Sequence, residues 1–302
     1  MISKFENLDP IEFSVIVPLF NKEKSIFSTI ESILHQTYTN FELIIINDGS
    51  TDDSLNVVQS FNDPRIKIYN KPNGGVSRAR NLGVEKSKNK FVVFLDADDL
   101  WLPFCLEEFC RLIIEFPDAD VFCTNFNMTG KNLEGSDRRY LVEDYFYALA
   151  FYLAKWSIQL IITGCVSIRR NLFNEIGCFN EDITHGEDID MWDRLGFRYK
   201  IAKSEKITTI YRTEAENRAS LVDESLKLKA TPFVLKRHEI LSKSQKLYIG
   251  VQTVFELRLF LFSGKNLYFI KSYIKYLDLI FRGVLFIIKV RFFNITFFHC
   301  VQ

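Results

Sequence analysis

The chain has 302 residues, 47% hydrophobic and 25% charged, with 38 basic against 38 acidic side chains. That ordinary globular balance leaves room for a sizeable core, and six cysteines with no CxxC pair or His-rich spacing argue against a zinc site. Charge is unevenly placed: residues 233–302 hold 11 Lys/Arg and 3 Asp/Glu, a net of +8, so the other 232 residues carry −8. An acidic body without a recognition motif argues against nucleic acid as a partner.

The opening "MISKFENLDP" lacks the apolar run of a signal peptide. The expectation is a reduced, cytoplasmic setting in which the cysteines serve as small core residues and the N-x-T triplets at Asn127 and Asn294 are chance matches. The first strand is "FSVIVPLF" (13–20), ended by Pro18. "KEKSIFSTIESILHQ" follows with Ile26, Ile30, Ile33 and Leu34 at helical spacing. "FELIIIND" (41–48) is a second strand, after which Ser50 or Thr51 is placed to cap the short helix in "DDSLNVVQSF". "RIKIYN" is a third strand, "NGGVSRARNLGVEKS" a glycine-led helix, and "KFVVFLDADD" a fourth strand. Pro103 opens the helix "PFCLEEFCRLIIEF", and "DADVFCTN" is a fifth strand. Between 125 and 160 only "YFYALAFYLAKW" suggests an element, a helix. Then come a strand in "IITGCVSIRR", a short helix ending at Gly177, an acidic-led helix "GEDIDMWDRLGF" and a last strand "KITTIY". Beyond Ala215 the sequence turns helical and basic.

Alternating strands and helices with near-continuous Val/Ile runs predict a mainly parallel sheet covered on both faces. Ligands on such sheets bind at the carboxyl ends of the strands, where Asn21, Glu23, Asp48, Asp96 and Asp98 fall. Each motif has a bland alternative. Asp96 and Asp98 suit a hard divalent cation or a solvated turn. Asp48 suits a nucleobase or ribose, or an Asx turn. Gly74 and Gly75 precede a helix N-terminus that favours anions, beside Arg78 and Arg80, yet their spacing matches no dinucleotide fingerprint. Glu187 and Asp188 suit a general base, or simply a helix dipole. No G-x-S-x-G, H-E-x-x-H or kinase set occurs, and His185 is the only histidine near an acidic motif.

Taken jointly and in order, "FSVIVPLFNKEKSIFSTIESILHQTYTNFELIIINDGSTDDS", "GGVSRARNLGV", "FVVFLDADDLW" and "GEDIDMW" resemble the family 2 glycosyltransferases over roughly residues 11–212. The resemblance implies an α/β, Rossmann-like GT-A domain over 1–218 and leaves 219–302 as a helical, basic and aromatic extension. It implies an inverting transferase using a nucleotide-diphosphate sugar, a UDP-sugar first among them, with Mn or Mg. By position, Pro18, Phe20, Glu23 and Asp48 would line the base and ribose pocket, with Arg78 or Arg80 nearby. Asp98 would hold the metal, Asp96 would contact ribose or metal, and Asp188 would be the base, with Glu187 as second choice. A single base suits in-line attack, whereas glycoside hydrolysis needs two flanking carboxylates. The Q-x-x-R-W motif of processive members is absent, which points to one sugar per acceptor. The loop "YRTEAENRAS" lacks the family's frequent His, leaving Arg212 or Arg218 for the diphosphate. That absence also keeps open a non-catalytic nucleotide-sugar-binding subunit or scaffold of a polysaccharide synthase complex. A nucleotidyltransferase would need a Gly-rich N-terminal loop, which "VPLFNKEKS" is not.

In the extension, Leu267, Ile270, Ile274, Leu277, Phe281, Val284 and Ile288 recur at steps of three and four, with Lys271, Lys275, Arg282 and Lys289 on another side. Such a helix suits docking on the inner, anionic face of the cytoplasmic membrane, near a lipid-linked or glycan acceptor of surface-polysaccharide assembly. It is too interrupted to span, which takes about 20 apolar residues in a row. The alternative is a helical bundle packed on the catalytic domain or on a second subunit of a homo-oligomer.

Overall fold

The computed structural model describes residues 10–129, 135–145, 148, 160–183, 186–216, 243–251 and 281–287. The chain forms two compact units, one made of Met1–Leu141 with Ile161–Lys227, the other of Val142–Leu160 with Leu228–Gln302.

The first unit is built on a sheet whose strands are β1 (Phe13–Leu19), β2 (Phe41–Asn47), β3 (Ile66–Asn70), β4 (Phe91–Phe94), β5 (Leu100–Trp101), β6 (Val121–Met128), β7 (Arg139–Val142), β8 (Val166–Arg169) and β9 (Ile201–Tyr211). They lie in the order β3-β2-β1-β4-β8-β6-β9-β5, with β7 also on β9. The first four run parallel, in register from Phe13 against Phe41 and Phe91. All seven residues of β2 are buried, as a parallel strand covered on both faces requires. Pro18 does not end β1, which continues to Leu19. The β4 ladder stops at Ile16–Phe94, so the N–H that proline lacks would have pointed past the end of that neighbour.

The fifth strand does not simply extend this parallel set. β8, contributed from later in the chain, lies antiparallel between β4 and β6, while β9 returns parallel to β6 and carries the two-residue β5 antiparallel on its other side. The sheet is therefore mixed beyond β4.

Six helices flank the described sheet: α1 (Ile26–Leu34), α2 (Ser54–Gln59), α3 (Val76–Lys86), α4 (Cys105–Glu115), α5 (Leu172–Ile176) and α6 (Glu187–Gly196). α1 buries Ile26, Ile30 and Ile33, and α4 buries Leu106, Phe109, Leu112 and Ile113, in one core with Phe13, Val15, Leu43, Phe91 and Val93. α4 starts two residues after Pro103, whose carbonyl instead accepts Thr37 N at 2.7 Å. α3 lies so close to β1 that a Cβ on Gly83 would stand 2.3 Å from Ile16 Cγ2. Cys105, Cys110, Cys123 and Cys165 are buried thiols, as core residues should be, whereas Cys178 is exposed.

In the second unit, 243–251 and 281–287 are helical. Gly283 packs against the Gly250 backbone, and Tyr248, Ile249 and Val251 are buried. Phe281, Val284 and Leu285 are exposed. Of the amphipathic pattern read over 267–288, the part before 281 and Ile288 lie outside the described residues. Among the described residues, no helix is long and apolar enough to cross a membrane.

Candidate active site

Three loops meet beyond the carboxyl ends of β1, β2 and β3. The β1–α1 and β2–α2 loops are stitched together by polar side chains. Asn21, at a φ of 51°, donates its backbone N–H to Ser50 Oγ at 3.2 Å and accepts Thr51 N at 2.8 Å. Lys22 N reaches Ser54 Oγ at 2.7 Å. Glu23 N donates to Asp52, and the Glu23 carboxylate accepts Asp53 N at 3.0 Å. Ser50 and Thr51 are thus occupied by Asn21, and α2 begins behind Asp53 with Asp52 accepting Ser54 N at 3.1 Å.

Asp48 is buried, and its two oxygens accept Gly74 N at 2.9 Å and Gly75 N at 2.8 Å while Lys71 pairs with the same carboxylate. It anchors the glycine pair that opens α3. Pro18 is half-buried, and Phe20 stands exposed at the end of β1. Arg78 faces outward, pairing with Glu181 at 2.9 Å, and lines a cavity of about 700 Å³ with Lys71, Asn81, Arg170 and Phe173.

Arg80, two residues on, points the other way and is 3% exposed. Its guanidinium bridges Asp96 Oδ1 at 2.9 Å and Glu187 Oε1 at 2.8 Å and lies over the Phe179 ring. Burial opposes the charge on Arg80, but Asp96, Glu187 and Asp188 outweigh it and hold the guanidinium protonated more firmly than usual. This one residue therefore joins the β4 end to the first turn of α6. Beside it, half-buried Asp188 is pushed up to about 6, by burial first and by the neighbouring Glu187 charge second. Arg80 and the Ile189 N–H, which Asp188 Oδ1 accepts at 2.8 Å, pull the other way.

The turn after β4 is braced on its far side. Asp98 receives the Lys22 ammonium at 2.7 Å, yet burial and the charge of Asp96 hold its carboxyl above the ordinary range. Asp99 is almost fully buried and shifted well above that range, by burial and then by Asp96 and Asp98. It accepts Arg212 N at 3.1 Å, and the Arg212 guanidinium is pinned to the Asp98 carbonyl and to Ser28 Oγ. Arg212, expected at a diphosphate, thus braces the acidic turn. Arg218 and His185 lie outside the described residues.

Asp96, Arg80, Glu187 and Asp188 therefore come together, as do Asp98, Lys22 and Arg212, whereas Arg78 is turned away. Lys22 and Glu216 have no role in the sequence reading, where Lys22 is just a lysine next to the polar turn after β1, and Asp99 reads there only as a cap of the turn before Pro103.

The sequence profile of Glycosyl transferase family 2 matches residues 14–177, stopping short of α6. An uncharacterized glycosyltransferase of Rickettsia bellii (strain RML369-C) is 32% identical over 207 residues, 68% of this chain and 29% of that protein. Glycosyltransferase GlyG of Streptococcus pneumoniae serotype 4 is 33% identical over 184 residues, 54% of this chain and 58% of that one. The chain thus spans less than two thirds of these relatives. The crystal structure of S. aureus TarS 1–349 in complex with UDP-GlcNAc matches with a TM-score of 0.64 at 21% identity, over 80% of this chain and 71% of that one, a likeness of GT-A fold. The profile covers more than half of the sequence, and the chain belongs to glycosyl transferase family 2 and is by family a glycosyltransferase.

Proposed function

We propose that the chain transfers a single sugar, with inversion, from a UDP-sugar to a hydroxyl of a glycan or lipid-linked acceptor. The observation that carries this reading is the Arg80 bridge, which ties Asp96 on the donor-side turn to Glu187 beside a carboxylate of raised proton affinity, Asp188. In this reading Asp188 takes the proton from the acceptor hydroxyl as that oxygen attacks the anomeric carbon. Glu187, held on Arg80, lies beside Asp188 and is one of the causes of its raised proton affinity. The complex of TarS with UDP-GlcNAc supports the choice of donor class.

A divalent Mn or Mg fits the donor set in a particular way. Among the described residues no group of three acidic, His or Cys side chains is placed to hold a metal ion together, so Asp98 and Asp96 would hold the ion through one or two carboxylates and leave the remaining positions to diphosphate and water, the usual habit of these hard cations. When bound, it would neutralise charge on the leaving diphosphate. The basic extension is read as docking the chain on the cytoplasmic face of an anionic membrane, where a lipid-linked acceptor of surface-polysaccharide assembly would be met.

Asp188→Asn tests the assignment. Transfer should fall about 10²- to 10⁴-fold while donor binding persists, measured as product formation alongside calorimetric titration of UDP. Near-normal turnover would remove Asp188 as the base, and a product retaining the donor's anomeric configuration by NMR would remove inversion.

A further inference from the structure

The acidic turn after β4 already carries its own cations. Asp96 is paired with Arg80, and Asp98 with Lys22. Lys22 and Asp98 are both largely shielded, with side chains 10% and 15% exposed. The two pairs differ in how they are held. Arg80 is walled in by α3, Glu187 and Phe179. Lys22 instead comes from the β1–α1 loop, and its ammonium also donates to the Glu216 carbonyl at 2.5 Å. Glu216 closes over the same loop, its carboxylate accepting Lys24 N at 3.1 Å and Ser25 N at 3.0 Å, together with the Ser25 hydroxyl. A lysine ammonium from the β1–α1 loop, just ahead of α1, therefore sits on the carboxylate assigned to the metal.

We infer that Lys22 is a positioning residue that exchanges partners when the donor binds: its ammonium leaves Asp98 for the diphosphate, and the vacated carboxylate takes the divalent cation. This rests on the reading of Asp98 as the metal-side carboxylate. The swap conserves charge pairing, because the ammonium moves from Asp98 to a phosphate oxygen while the divalent cation, still on the diphosphate, takes its place on Asp98. Either half alone is disfavoured. A lone cation must displace an ammonium already seated on Asp98, and a lone diphosphate must strip Asp98 of its partner, leaving a shielded charge unpaired. Lysine suits this role better than arginine would, being a mobile point charge rather than a fixed fork.

The test uses the full chain and two probes measured separately: Mn by the EPR signal of the free ion, without nucleotide, and UDP by calorimetry in EDTA. Lys22→Met should tighten Mn binding on the order of tenfold, since the competing ammonium is gone, and weaken metal-free UDP binding by a similar factor. Lys22→Arg, which keeps the positive charge on Asp98, should leave metal-only Mn binding near wild type and guards against a folding artefact. Unchanged or weaker Mn binding in Lys22→Met, or unchanged UDP binding, overturns the exchange while leaving Asp98 as a ligand. If Asp98→Asn binds Mn in the presence of UDP as well as wild type does, the metal-side reading fails and the exchange with it.

Discussion

At the scale of single residues, the site is a set of carboxylates whose proton affinities are set by unlike neighbours. Asp188 is raised to about 6 by burial and by Glu187; Asp98 and Asp99 are raised by burial and by Asp96. For a base, the ionised form is the working one, so transfer should rise with pH through about 6 and level off above it. The effect on stability runs the opposite way. A carboxyl whose affinity for protons is greater folded than unfolded contributes stability at low pH and loses it as pH climbs through the folded value. Asp188→Asn should therefore match wild type in melting temperature below about pH 4 and exceed it near neutrality, by about 2–4 °C for a penalty of about 1 kcal/mol. Thermal melts across this range check it; a variant less stable than wild type at neutral pH would mean that Asp188 is well satisfied rather than strained. Sequence reading reached these residues one at a time because each sits in a short local motif. It could not see their pairings: Arg80 and Glu187 are 107 positions apart, and Lys22 and Asp98 are 76 apart. For the same reason it assigned Arg78 and Arg80 alike, although the helix turns one out to Glu181 and the other into the site.

At the scale of elements, local patterns carried the parallel half of the sheet and left the rest obscure. β1, β2 and β4 are apolar runs followed by polar turns, and α1 and α4 show clean helical spacing, so their existence and order were legible. The placement of β8 was not. It is a four-residue strand, and nothing in "VSIR" tells whether it pairs beside β4 or beyond β6, nor in which direction. Caps were the other weakness. Ser50 and Thr51 look like helix caps, but tertiary hydrogen bonds to Asn21 claim them, and a local motif cannot report a competing partner that arrives from another loop. The seating of α3 is the element on which the site depends most, because this helix carries Arg80 and its first turn is anchored by Asp48. Gly83→Ala tests that seating. The added methyl would meet Ile16 Cγ2 inside the core, and Ile16 lies in the centre of β1, bonded on both sides. Relief requires α3 to move off the strand, at a cost of about 1–3 kcal/mol, read as a lower urea midpoint. Because such a shift also displaces Arg80, transfer should fall with stability, and a stable, fully active Gly83→Ala chain would show that the helix has slack.

At the scale of the whole chain, residues 233–302 carry a net +8 and the remainder −8, which sets the two parts apart by charge. The acidic part holds the candidate donor site, where local cations rather than net charge govern binding. The basic part has an exposed apolar trio, Phe281, Val284 and Leu285, on the described helix 281–287, within the run where lysines and arginines alternate with large apolar residues. An interfacial helix gains from both terms: apolar burial at the headgroup boundary and attraction to anionic lipid. The two respond differently to salt, since the Coulombic part is screened over about 8–10 Å at physiological ionic strength and the apolar part is not. The full chain should therefore co-sediment with phosphatidylglycerol vesicles and not with phosphatidylcholine ones, and high salt should release most of it. Replacing Lys271, Lys275, Arg282 and Lys289 together by Gln should abolish the lipid preference and leave transfer to a soluble acceptor unchanged. If the chain ignores both vesicle types and sediments as a salt-resistant dimer, the apolar seam is a subunit contact, and the acceptor need not be membrane-borne.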